Sequence, residues 1–481
     1  MSRLRLTSVL ALGLVVIIVI LLILIGPWGV QETIEKGSFN MWFDRYNIFG
    51  GWRGVCGFEA RGFFYVVERD GRWWLVDPVG CVFVSKGVNH VSPYGDYSPG
   101  LGFSPYERVV RVRFGGFDAW LNATVARLRG WGFNTIGSWS YDQFFKQMPY
   151  TFILDVMAGF GFDWVTGRVP DIFEPRFEEY AKGVAAQKCA PRARDPLLVG
   201  YFLDNELRWG PDWRSPKHLL DEFLRLPSDA PGKRVAVEVL LEAFGGDLER
   251  LGRELGMELR NVGDLLRYAG DLPSGGGFDV ARSLFLRRFA ERYFSVAVNA
   301  VRSYDVNHLV LGVRFAGQPP REVLEVAGRY VDVVTVNYYT YGAHEPPVDV
   351  LRWFHSVTGK PVMVTEFSYK AMDSGLPNTR GAGQPVRDQR ERAYLTARYV
   401  VKVVELPFVV GYHWFQYTDQ PAQGRFDGEN SNFGLVKIDD EPWDLLTRVF
   451  TLVNTRAEEV HAGLVKADEV LNQVVELVKE G

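Results

Sequence analysis

The stretch LLVGYFLDNELRWG, residues 197–210, opens as an apolar strand and ends in three polar residues, Asp204, Asn205 and Glu206. A strand that stops at Asn-Glu needs a reason to put a carboxylate there. Seven more stretches have the same apolar, β-branched character: CVFVSKGVN (81–89), FNTIGSW (133–139), YTFILDV (150–156), LVLGVRF (309–315), VDVVTVNYY (331–339), PVMVTEF (361–367) and FVVGYHWFQY (408–417). Most of the gaps hold a helix-period pattern, such as FDAWLNATVARLRGWG (117–132) and RERAYLTARYVVKVVEL (390–406). Eight strands alternating with helices predict an α/β fold, a (β/α)8 TIM barrel. The competing open, doubly wound sheet is disfavoured, because no GxGxxG or P-loop pattern follows an early strand.

Outward from this frame, GFFYVVERDGRWWLVDPVG (62–80) reads as a hairpin turning at Asp70-Gly71. The long gap after the fourth strand holds VAVEVLLEAFGGDLERLGRELG (235–256), expected as an insertion over the barrel mouth. It also holds ARSLFLRRFAERYFSVAVNAVRSY (281–304), expected as the barrel's own helix. The chain divides into a cytoplasmic stub and membrane anchor (1–30), a linker and entry segment (31–60), the barrel (61–454) and a C-terminal amphipathic helix (455–481). That last helix carries an apolar stripe of Val460, Leu464, Ala467, Leu471, Val474 and Val478. It is expected to pack on its own domain, with a coiled-coil seam as the alternative.

Residues 6–26 contain no charge and follow Arg3 and Arg5. Such a run is long enough to cross a bilayer as a helix. The flanking arginines predict an uncleaved signal-anchor, with the rest of the chain on the outer face of the cell membrane. The formal net charge of -4, without a basic run, excludes nucleic acid as the natural partner. Cys56, Cys81 and Cys189 are too few and too scattered for a disulfide framework or a zinc site. Cys81 is expected as a buried thiol, and a single Cys56–Cys189 bridge stays open. No metal and no cofactor are implied, and the oligomeric state is left open. Aromatics form 14% of the chain, many beside polar residues, as a sugar-binding cleft requires.

Catalytic groups of such barrels sit at the C-terminal ends of strands. Applied to the acids, that filter selects Glu206 after the fourth strand and Glu366 at the end of the seventh. Strand alternation places Val362, Val364 and Glu366 on one inward face. Two carboxyls flanking a bond are the machinery of glycoside hydrolysis. One must carry a proton for the leaving oxygen, and the other must be ionised to attack the anomeric carbon. Alternation through NYY turns Asn337 and Tyr339 inward, where a tyrosine hydroxyl donating to Glu366 would favour its anion. Glu206 is therefore expected as the acid/base and Glu366 as the nucleophile.

GRWWLVDPVG (71–80), GVNHV (87–91), VGYFLDNELRWG (199–210), YDVNHLVLGVRF (304–315) and GYHWFQYTDQPAQGRFDGENSNFGLV (411–436) resemble glycoside hydrolase family 50, the β-agarase family. The resemblance runs from about residue 62 to 450. It implies a retaining β-glycosidase acting on agarose-like β-galactosides, with Glu206 and Glu366 matching the family's catalytic pair. Asn89, His90, Asn205, Asn337, Tyr339, Trp414, Gln416, Asp419, Glu429 and Asn430 are the candidate sugar contacts. The partners this implies are an oligo- or polysaccharide substrate and, through residues 6–26, the lipid bilayer. Three alternatives remain: a transglycosylase using the same two Glu, a catalytically silent carbohydrate-binding surface protein, and a structural envelope protein.

Overall fold

A computed structural model describes residues 42–480. An antiparallel unit comes first: β1 (Tyr65–Arg69), β2 (Arg72–Val76) and β3 (Val82–Phe83). Asp70 and Gly71 both take positive φ, 55° and 73°, the left-handed pair that a two-residue hairpin turn requires. A disulfide joins Cys56 to Cys81, and Cys189 is the buried free thiol. The Cys81 thiol and the Cys56–Cys189 bridge considered from sequence are thus both replaced. Cys56 and Cys81 are bridged residues on adjacent antiparallel segments, far apart in sequence but directly opposed.

The main sheet follows: β4 (Ser85–Val88), β5 (Thr135–Ile136), β6 (Tyr150–Ile153), β7 (Leu198–Phe202), β8 (Leu309–Val310), β9 (Phe315–Ala316), β10 (Val334–Asn337), β11 (Val362–Phe367) and β12 (Val409–Trp414). Its order is β8-β7-β6-β5-β4-β12-β11-β10-β9, and every neighbouring pair is parallel. The closed eight-stranded barrel is therefore corrected to a curled, nine-stranded parallel sheet that is open between β8 and β9. The physical reason lies in LVLGVRF, expected as one strand. Gly312 takes φ 81°, a conformation that breaks the ladder and that glycine alone adopts readily. Either side of the break still reaches a neighbour: Leu311 N donates to Tyr201 O (2.7 Å), and Gly317 N donates to Asn337 O (2.9 Å).

The membrane helix expected over residues 6–26 lies outside the described residues. Among the described residues no helix is long and apolar enough to cross a membrane. The membrane part of the expected fold thus has no support in this structure.

Two apolar clusters sandwich the sheet. The inner one gathers Val199, Phe202, Leu311, Val333, Met363 and Val410 and is closed by Phe64, Leu75 and Phe83 of the hairpin unit. The outer one holds Val334, Val336, Val362 and Val364 against the helices. So Val362 and Val364 do not face inward with Glu366 as alternation suggested. Register shifts in the β10–β11 and β11–β12 ladders after Val364 return Glu366 to the inner side.

The C-terminal stripe is split between two helices, Asp444–His461 and Ala467–Glu480, with a turn at Gly463 (φ 74°). Val470 and Val474 are buried, packing the last helix on its own chain against helix Gln389–Val404, while Leu464 in the turn is exposed. The segment after β7 packs helix Pro231–Ala243 along helix Gly276–Tyr304, with the Phe244 and Phe278 rings 5.1 Å apart.

Candidate active site

The parallel strands deliver their C-terminal ends to one side of the sheet, and the candidate residues gather there. Five successive strand ends each carry a non-glycine residue in the left-handed region: His90 after β4, Trp139 after β5, Asp155 after β6, Glu206 after β7 and Arg314 between β8 and β9. Such conformations cost about 1–3 kcal/mol each and persist where the surroundings enforce them.

Glu206 (φ 50°) is held from three directions. Trp164 Nε1 donates to its Oε2 at 3.0 Å, Asn337 Nδ2 to its Oε1 at 3.0 Å, and its backbone nitrogen donates to Arg314 O at 3.2 Å. Glu366 is buried. Tyr339 Oη donates to its Oε2 at 2.7 Å, and Arg314 Nη2 lies 2.9 Å from its Oε1. Burial pushes the Glu366 carboxyl up to about 7. Arg314 opposes that rise, the charge of Glu206 adds to it, and the Tyr339 hydroxyl opposes it.

Asn337 binds one carboxylate and sits beside the strand position of the other. It pairs with Glu366 across the β10–β11 ladder while its amide reaches Glu206 Oε1 and Asn205 Oδ1 (3.1 Å). Arg314 is the hub beneath them. Its fully buried guanidinium donates to Asn205 Oδ1 (2.9 Å), Asn89 Oδ1 (3.2 Å) and Thr365 O (3.0 Å). Asn89 in turn donates through Nδ2 to Thr365 O and Trp414 O, which fixes its oxygen toward Arg314. The ring of Trp139 covers the guanidinium at 4.4 Å and is itself 39% exposed.

The structure thus brings Glu206, Glu366, Asn89, Asn205, Asn337 and Tyr339 into one network. Trp414 is not in it. It is fully buried on the outer face of β12, packed on Phe367 and Phe450, with Nε1 donating to Phe433 O. The inward neighbour is His413, whose Nε2 meets Ser85 Oγ at 2.9 Å. Burial and the nearby Arg314 push its imidazole down to about 3, so it is neutral.

The loop after β12 splits the remaining candidates. Gln416 is buried and donates to Asp96 and Thr418 O. Asp419 is spent on structure, accepting from Asn432 Nδ2, Gly434 N and Trp443 Nε1. Asn430 Oδ1 accepts from Thr379 N and Arg380 N. Glu429 pairs with Arg425 at 2.8 Å and accepts from Gln420. Arg425 also favours the Glu366 anion, which sets this loop beside the site. His90 Nδ1 lies 3.7 Å from Asp96.

Arg314, Trp139 and Trp164 were not singled out from the sequence. The available signal was position: Arg314 and Trp139 end strand stretches, but the filter applied to those ends selected acids alone. Among the described residues no group of His, Cys, Asp and Glu could hold a metal ion.

No protein-family model matches the chain. β-Agarase A of Vibrio sp. (strain JT0107) is 28% identical over 443 residues, which cover 79% of this chain and 44% of that protein. The chain thus spans less than half the length of that curated relative. The crystal structure of the agarase AgWH50C superposes with a TM-score of 0.76 at 26% identity, covering 89% of this chain and 70% of the other. A solved exo-β-agarase gives a TM-score of 0.77 at 25% identity, over 87% and 68% of the two chains. In sequence and in fold the chain is β-agarase-like, similar to the glycoside hydrolase family 50 proteins along most of its length.

Proposed function

We propose that the chain is a retaining β-glycosidase that hydrolyses β-galactosidic bonds of an agarose-like neutral glycan by double displacement. The observation that carries this reading is the single chain of contacts that links the two acids at the ends of β7 and β11, from Glu206 through Asn337, Asn205 and Arg314 to Glu366. Two carboxylates bound into one network beside an open mouth are what glycosyl transfer to and from an enzyme needs.

Roles follow from the partners. Glu366 receives a fixed cation and a hydroxyl, both of which favour its anion, so it attacks the anomeric carbon. Glu206 has no cation against it, only the N–H donors of Trp164 and Asn337, and in this reading it is the group that passes a proton to the leaving oxygen. When Glu366 becomes an ester its charge disappears from beside Glu206. Glu206 has by then given up its proton, and it acts as base on the incoming water.

Agarose is supported as substrate by the names of the relatives. A neutral sugar also fits the exposed rings at the strand ends: Tyr97, Trp139, Trp213, Tyr341 and Phe426 all lie on loops that follow parallel strands of the sheet. The test is digestion of agarose and of chromogenic β-galactosides, β-glucosides and β-mannosides by the purified chain, with products followed by NMR. Shorter β-galactosyl oligosaccharides released with retained configuration are expected. Elongated products would favour the transglycosylase reading. Binding of agarose without any product would overturn the enzyme.

A further inference from the structure

Past Glu206 the chain opens a groove of about 350 Å3, walled by Leu207, Trp209, Trp213, Ser283, Ala316 and Gln318. Trp213 is 64% exposed, a large apolar surface that folding leaves in water. Its position is nevertheless fixed. The Arg214 guanidinium lies 4.3 Å from the ring centroid, and the Arg214 side chain is itself buried. Arg214 pairs with Asp212 at 2.6 Å and donates through Nη1 to the backbone oxygen of Glu206 at 2.9 Å. The exposed indole is thus keyed through one buried side chain to the backbone of the expected acid.

The arginines that line the groove are both paired. Arg214 is paired with Asp212, and Arg282 with Asp279 (3.0 Å) and Asp221 (3.1 Å). An anionic polymer finds no unpaired arginine here. A flat ring with hydroxyl-binding groups beside it suits a neutral pyranose, whose C–H face packs on an indole while its hydroxyls meet polar edges.

We infer that this groove is the binding site for sugar residues on the leaving-group side of the scissile bond, with Trp213 as the stacking platform. The inference rests on Glu206 being the acid, since the sugar that departs must lie on the acid's side.

The test compares Trp213→Ala and Trp213→Phe with the wild type on two substrates. One is an agarose oligomer that extends past the scissile bond. The other is a β-galactosyl fluoride, whose leaving group is a single atom. For Trp213→Ala we expect KM on the oligomer to rise roughly tenfold, the scale of one lost aromatic stacking contact. The fall in kcat/KM on the fluoride should be several times smaller. Trp213→Phe should recover most of the oligomer affinity. An equal loss on both substrates, or an unchanged KM on the oligomer, overturns the assignment. Absence of wild-type turnover on both substrates sinks the two-Glu reading instead. The groove is then judged by calorimetric binding of the oligomer, which Trp213→Ala must weaken roughly tenfold or the assignment falls as well.

Discussion

Arg314 and Glu366 form an ion pair of 2.9 Å in which the guanidinium has no exposure to solvent. The cation comes from the break between β8 and β9 and the anion from β11, two strands in from the β9 border. Removing the cation leaves a buried carboxyl without its main stabiliser. In Arg314→Met, Glu366 should stay protonated to higher pH, because its anion loses the partner that holds its pKa down. The acid limb of kcat/KM should move upward by about 1–3 pH units, the range for loss of an adjacent opposite charge. A variant whose kcat/KM drops with an unshifted limb would reduce Arg314 to a folding role.

The same group sets a pH dependence in the wild type. With the Glu366 carboxyl raised to about 7, the attacking anion is depleted as pH falls below that value. The limb of kcat/KM on the acid side should therefore have its midpoint near neutral pH and fall about tenfold per unit beneath it. Tyr339→Phe removes a donor to the anion and should push that midpoint higher. Full activity down to pH 4 would contradict Glu366 as the nucleophile.

Chemical rescue separates the roles. Glu366→Ala should abolish turnover, and azide should restore part of it with inverted product, since the anion enters from the vacated face. Glu206→Ala should lose roughly 10²–10⁴-fold on substrates with poor leaving groups, the scale of general acid catalysis. On activated aryl glycosides it should show a burst followed by slow release, which azide speeds with retention. Retention from the Glu366 variant and inversion from the Glu206 variant would exchange the two assignments.

Stability has its own test away from the mouth. Lys86 Nζ is buried against Glu458 Oε1 (2.6 Å), Tyr46 Oη (2.8 Å) and Asn454 O (3.1 Å), tying β4 to helix Asp444–His461 and to the N-terminal segment. Lys86→Met alone should cost about 3–5 kcal/mol in urea unfolding, because Glu458 is left buried and uncompensated. Lys86→Met with Glu458→Leu should recover much of that loss. A single variant as stable as the wild type would mean that the pair is solvated in solution.

Much of this site could be read from residues alone, for reasons that are local. Every expected strand contains a strand of the sheet, since apolar β-branched runs between helices have few other uses. The Asp70-Gly71 turn follows from backbone sterics. Glu206 and Glu366 stand out as the two glutamates at the ends of the expected strands. Other features are set by tertiary geometry. Glu366 faces inward, but through irregular register rather than the simple alternation that pointed to it. In β12 the inward residue is His413 and the outward one Trp414, a choice fixed by how Val410 and Tyr412 pack on opposite sides of the strand. Arg314 escaped because its role depends on three neighbours that are distant in sequence. The break at Gly312 looked like an ordinary strand glycine.

That break bears on how the protein behaves at high concentration. An open sheet offers two rows of unpaired backbone groups to any passing chain, a common route to aggregation. Here both terminal strands are two residues long and come from the same eight-residue stretch, 309–316. Each border is guarded by the other, and neither is long enough to template a foreign strand. The gap that Gly312 opens is thus too short to serve as an edge, and the fold keeps the protection of closure without a continuous hydrogen-bonded ring.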